Sequence, residues 1–143
     1  MAKNIHLLKK AIFTKLSNDS ELTELLGAEG RVFHRQPNKD SQYPCVIYAI
    51  INDVDNPYNQ NDDSGDITQT FFRITIFTDD SNTEKCDNIE SRIKQLLHGQ
   101  RSLDNESIIC YSCFRENLME PMRDEQTHIW ITPSRYKVTW SVK

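Results

Sequence analysis

The chain has 143 residues, of which 37% are hydrophobic and 27% charged, and carries a net charge of −4. That length suits one domain with one core, and no run approaches the roughly 20 apolar residues needed to cross a bilayer. The acidic balance argues against a nucleic-acid binder, because such proteins draw their affinity from a basic surplus set against phosphates.

The opening residues Met1–His6 lack the apolar core of a signal peptide, so the protein is expected to be made and kept in a cytoplasm. From Asn4 to Leu16, the residues Ile5, Leu8, Ala11, Ile12 and Leu16 recur at three- and four-residue spacing, which predicts an amphipathic helix. Its lysines lie mostly off that stripe and no tryptophan accompanies it, so a core helix is favoured over a membrane-surface one. Ser17-Asn18-Asp19-Ser20 supplies N-cap candidates for a short second helix carrying Leu22, Leu25 and Leu26, ended by Gly27 or Gly30.

Arg31–His34 reads as a short strand and Gln36–Ser41 as a loop. Cys45–Ile51 is apolar at every position, which fits a central strand or one whose second face a partner covers. Ile67–Phe77 alternates, with Phe72, Ile74 and Ile76 on one face and Phe71, Arg73, Thr75 and Phe77 on the other. These two strands are expected to pair as a long hairpin. Ser81-Asn82-Thr83-Glu84 has the form of a capping box, with Ser81 as N-cap. A helix with the stripe Ile89, Ile93, Leu96 and Leu97 follows, and Gly99 is placed to stop it. Leu103–Glu106 predicts a turn and Ile108–Phe114 a strand. Asn117–Gln126 predicts a polar loop carrying Leu118, Met119 and Met122 around Pro121. A last strand follows, split by Pro133, with Tyr136, Val138, Trp140 and Val142 on one face. The order predicts an α+β domain spanning 1–143. Its small antiparallel or mixed β-sheet carries the N-terminal helices and one central helix on one face, and the hairpin loop is long.

Candidate chemistry is sparse. Cys110-Tyr111-Ser112-Cys113 has the spacing of a redox or zinc motif. It falls in a predicted strand, however, where positions i and i+3 point to opposite faces. Cys45 and Cys86 are isolated, and His6, His34, His98 and His128 are scattered. Buried structural thiols are therefore expected in place of a metal site. A catalytic pair drawn from Cys110 or Cys113 and His34, His98 or His128 has no spacing behind it. No enzyme, metal or cofactor is expected.

The segment Asp53–Asp66 is the most unusual in composition. It holds Asp53, Asp55, Asp62, Asp63 and Asp66 with no basic residue. As a calcium loop it fails: Pro57 stands where the third ligand belongs, Tyr58 replaces the turn glycine, and Ser64 replaces the closing glutamate. An acidic hairpin tip is the expectation, and such a tip is able to order on meeting a basic partner surface.

Four stretches, in order, resemble the tail-completion proteins of long-tailed bacteriophages, relatives of the tail-terminator proteins. They are the N-terminal helix with Leu22–Gly27 and Gly30–Phe33; Gln36-Pro37 with Tyr43–Tyr48; the Phe71–Phe77 strand leading to a helix that ends Leu96-Leu97-His98-Gly99; and Arg135–Val142. The Asp53–Asp66 segment and the Cys-x-x-Cys pair lie outside that resemblance. The resemblance implies a non-enzymatic virion protein at the head-proximal end of the tail, acting as a ring, typically hexameric. Its partners would be copies of itself, the tail tube protein and the head–tail connector or neck proteins. No membrane or sequence-specific nucleic acid is implied, although DNA would pass through the ring. A connector or stopper of the neck, or a small interaction module, is the alternative. Candidate interface residues are Asp53, Asp55, Tyr58, Asp62, Asp63 and Asp66 on one flank, and Leu118, Met119, Met122 and Arg123 on the other. The methionines would supply adaptable apolar contacts.

Overall fold

The computed structural model describes residues 4–36, 42–55, 67–79 and 82–143. Chain order is α1 (Ile5–Ser17), α2 (Ser20–Leu26), β1 (Val32–His34), β2 (Cys45–Asp55), β3 (Thr68–Thr78), α3 (Glu84–Leu97), β4 (Ile108–Leu118), β5 (Met122–Arg123) and β6 (Trp130–Val142). Among the described residues the strands form one mixed sheet in the order β1-β2-β3-β6-β4, with β5 also on β6. Only β1–β2 is parallel. The α+β expectation stands.

Local chemistry sets the helix ends. The Asn4 side chain accepts the His6 N–H at 2.9 Å and starts α1. Asp19 accepts the Leu22 N–H at 2.8 Å and starts α2. Gly27 ends α2 at φ 85°, a left-handed value that a Cβ would strain. Arg92 of α3 donates to both carboxylate oxygens of Asp19, at 2.9 and 2.6 Å, which ties α2 to α3.

The helices lie on one face of the sheet. Leu8, Ile12 and Leu16 of α1 and Ile89, Ile93 and Leu97 of α3 are buried with Val46, Tyr48, Phe72, Ile74, Ile76, Tyr136, Val138 and Trp140. Phe72 and Tyr136 stack at 5.4 Å between centroids. Burying each such side chain fully stabilises the fold by about 1.5–3 kcal/mol. Core packing therefore outweighs the exposed caps and ion pairs. Two polar links accompany this core, one along the sheet and one from sheet to helix. Trp140 Nε1–H donates to Thr70 Oγ1 at 2.8 Å, and the Thr70 hydroxyl donates to Asp53. Arg115 of β4 donates to Glu90 of α3.

Several sequence expectations are corrected. Pro133 does not split the last strand, since β6 runs unbroken from Trp130 to Val142 and pairs with β3 throughout Trp130–Trp140. The Pro133 carbonyl accepts from Met119 N–H at 3.1 Å, so its ring nitrogen faces the same side. There β6 hands over from β4 to β5, and the missing donor falls at a gap in the ladder. The predicted Asn117–Gln126 loop shrinks, because β4 continues to Leu118 and β5 occupies Met122–Arg123.

Cys110 and Cys113 do not face opposite ways. The register shifts between Cys110 and Ser112, and the extra residue Tyr111 turns both thiols to the buried face, with Cys110 opposite Trp140 and Cys113 opposite Val138. The N-cap of α3 is Thr83 instead of Ser81, and the Asn82 side chain accepts the Glu84 N–H at 3.1 Å. Ser81 itself lies outside the described residues. The helix ends at Leu97, and Gly99 (φ 141°) bridges to Cys113 through paired backbone hydrogen bonds, covering part of the β4 edge.

Candidate functional site

The second face of the sheet is uncovered by the described residues. Alternation puts Ile47 and Ala49 of β2, Phe71, Arg73, Thr75 and Phe77 of β3, and Ile131, Pro133, Arg135 and Lys137 of β6 on it. A second register shift, between Ile50 and Asn52 of β2, leaves Ile51 unpaired and 48% exposed. A depression of about 270 Å³ opens on this face, floored by Ile47, Ala49, Thr75, Phe77, Ile131 and Pro133, with Arg35 and Arg73 also lining it.

Its charge is arranged unevenly. Arg73 and Arg135 stand directly opposite each other across β3 and β6, a like-charge pairing that destabilises a sheet. Arg135 is compensated: its guanidinium sits 4.6 Å from the Phe71 ring centroid, and Nε lies 3.1 Å from Glu116 Oε1. Lys137 lies over Phe71 and Phe114 at 5.8 and 6.0 Å. Arg73 is exposed and has no carboxylate partner among the described residues.

The predicted interface residues fall into two groups. Leu118, Met119 and Met122 are 41%, 51% and 52% exposed and gather at the β4–β5 turn. Met122 faces Ile131 across the ladder, so this apolar cluster adjoins the depression. Arg123 sits over Trp130 at 6.0 Å. Asp53 lies within β2 as the acceptor of Thr70, and Asp55 ends that strand opposite Thr68. Tyr58, Asp62, Asp63 and Asp66 lie outside the described residues. Sequence reasoning missed Arg35, Arg73, Phe71, Phe114, Arg135 and Lys137. The signal was present, since aromatic and cationic residues share one alternating face, but the pairing of β3 with β6 was needed to gather them.

Among the described residues the cysteines and histidines stand apart from one another in role, except for the neighbouring buried pair Cys110 and Cys113. Burial pushes the Cys45 thiol up to about 11 and raises Cys110 and Cys113 as well. Cys86 Sγ lies 2.7 Å from Thr78 Oγ1. His34 rests against Tyr48, with ring centroids 5.1 Å apart, and burial lowers its pKa. His98 Nδ1 accepts the Arg115 N–H at 3.1 Å, and His128 occupies a turn at φ 61°. Among the described residues no three His, Cys, Asp or Glu side chains are grouped to hold a metal ion.

Comparison with known proteins agrees with this arrangement. The family described as tail completion protein gp17 matches residues 10–117. No curated protein matches the sequence. A chain in a structure titled "Virion of native gene transfer agent (GTA) particle" superposes with a TM-score of 0.70 at 15% identity, over 94% of both chains. A second solved chain superposes with a TM-score of 0.60 at 10% identity, over 98% of this chain and 96% of that one. At such identities the likeness is one of fold, and the family rests on the sequence match. Because that match covers most of the chain, this protein belongs to the tail completion protein gp17 family, structural proteins of the phage tail.

Proposed function

We propose that this protein caps the head-proximal end of the tail tube as a ring, taken as hexameric, and joins the tail to the head. The observation that carries the reading is the family match over residues 10–117. The uncovered sheet face supports it. In a small domain, a face carrying exposed apolar, aromatic and cationic side chains fits a protein whose work is contact. A ring subunit needs two unlike flanks, one meeting the other on its neighbour. The acidic Asp53–Asp66 segment and the Leu118–Arg123 turn with its adjoining face supply unlike chemistry for such flanks. The partners are further copies of this chain, the tube protein below and the neck proteins above, with DNA passing through the lumen.

Electron microscopy of particles made without this gene tests the reading. DNA-filled heads beside separate, abnormal or overlong tails are expected. Normal infectious particles would overturn it.

A further inference from the structure

We infer that the strap of residues 98–105 is a guard on the outer edge of β4, holding the segment Ile108–Phe114 back from pairing with the same segment of a second copy of this chain. The inference stands apart from the ring reading. Three observations carry it.

The first is the closure. β4 ends the sheet on its side, and every second residue of such a strand turns its N–H and C=O away from the neighbouring strand. With the bulge at Tyr111, the outward residues are Ile108, Cys110, Cys113 and Arg115. The strap takes each of their N–H groups. Ile108 donates to Asn105 Oδ1 at 3.0 Å and Cys110 to Asp104 Oδ1 at 2.6 Å. Cys113 donates to the Gly99 carbonyl at 2.9 Å and Arg115 to His98 Nδ1 at 3.1 Å. Buried Leu103 anchors the strap in the core, and the Ser102 hydroxyl donates to the Leu97 carbonyl at 2.6 Å. Side-chain atoms of His98, Asp104 and Asn105 thus do a strand's hydrogen bonding, and only Gly99 makes a bridge, an isolated one.

The second is what the strap covers. Ile108-Ile109-Cys110-Tyr111-Ser112-Cys113-Phe114 contains no charge, no proline and no glycine. A run of that length and composition on an open edge is the signature of strand-to-strand association between identical segments. The occupant that the strap excludes is therefore a second copy.

The third is the opposite edge. β1 has three residues and covers β2 only along Val46–Tyr48. Farther on, the bulge at Ile51 interrupts β2, and Asn52 Oδ1 accepts the Asp53 N–H at 2.9 Å. Short edge strands, bulges and covering loops are the devices by which sheets resist edge pairing. Among the described residues both edges carry them, which leaves contact between copies to faces and turns.

The full chain, kept reduced, tests the guard. Asp104→Ala/Asn105→Ala frees the Ile108 and Cys110 N–H groups without touching the segment. Hydrogen exchange at those two amides is expected to rise at least about tenfold, with the β3–β6 amides unchanged. Mass by analytical ultracentrifugation is expected to exceed that of wild type and to grow with concentration. Adding Ser112→Glu puts a charge into the segment and is expected to return the mass to wild type while exchange stays fast. Fast exchange with no gain in mass overturns the guard. So does a gain in mass that Ser112→Glu leaves in place, which would be association of another kind. If the double variant loses its cooperative urea transition, Asp104→Ala alone opens the middle of the segment and is read by the same outcomes.

Discussion

At the scale of single residues, two polar links, one part-buried and one buried, carry more of the fold than their numbers suggest. Asp19 caps α2 through Leu22 N–H and grips Arg92 of α3. The hydrogen bond from Arg92 is the main cause that holds its carboxyl below the usual carboxylate range, with the Leu22 N–H adding to it. A carboxylate depressed in the folded state stabilises above its unfolded value of about 4, and that contribution is lost as pH falls through the folded value. Asp19→Ala is expected to lose about 1 kcal/mol at neutral pH from the cap alone. Asp19→Asn keeps a capping oxygen but cannot titrate, so urea titrations at pH 7 and pH 3 are expected to differ less for it than for wild type. Equal differences would remove Asp19 from the acid response. Thr70 is the second case. Thr70→Val preserves shape but leaves the buried Trp140 Nε1–H without its acceptor. The expected loss is about 1–3 kcal/mol, read from the denaturant midpoint. An unchanged midpoint would mean that the indole finds another partner.

At the scale of elements, the bulge in β4 decides where the cysteines go. Without the extra residue at Tyr111, Cys113 would face the open side, and the Cys-x-x-Cys pair could not share the core. Burial also raises the Cys45, Cys110 and Cys113 thiols, so the thiolate fraction at neutral pH is lower than in a free cysteine. Alkylation at pH 8 is therefore expected to proceed only as fast as the protein unfolds, and to accelerate with urea in step with the loss of structure. A thiol that reacts within seconds in the native protein would refute this packing. The same bulge explains what the sequence could not disclose. Alternation in Phe71–Phe77 and Tyr136–Val142 gave the strands and their faces directly, and caps and periodicity gave α1, α2 and the body of α3. Bulges leave no alternation mark that a single strand reveals, so strict alternation assigns Cys110 and Cys113 to opposite faces. Pro133 reads as a break because its tolerance depends on a neighbour, the turn between β4 and β5, that lies more than ten residues earlier in the chain. The candidate site was half legible. Leu118, Met119 and Met122 stood out as apolar residues in a polar stretch, whereas the arginine-rich face emerges only once β3 and β6 are side by side.

At the scale of the whole molecule, the sheet divides labour between its faces. One is filled by helices and supplies the stability; the other, uncovered by the described residues, holds the like-charge pair Arg73 and Arg135. Stability and assembly should therefore separate at Arg73. In the free chain Arg73 faces Arg135, and directly opposed like charges destabilise a strand pair by up to about 1 kcal/mol. Arg135 has Phe71 and Glu116 to hold it, so Arg73 is the member that can be removed without stranding a neighbour. Threonine suits an exposed strand position. Arg73→Thr is thus expected to leave the dilute protein as stable as wild type or up to about 1 kcal/mol more stable, measured by urea denaturation. If the open face takes part in the proposed assembly, the same substitution is expected to weaken it, read as fewer joined particles, because it removes an exposed cation from that face. High salt should weaken wild-type assembly in the same direction, since an exposed charge contact is screened within about 8–10 Å at physiological ionic strength and within less above it. A variant less stable than wild type that still joins tails normally would invert the argument. It would make Arg73 part of the fold's own support, and the open face would then owe its charge to something within the chain.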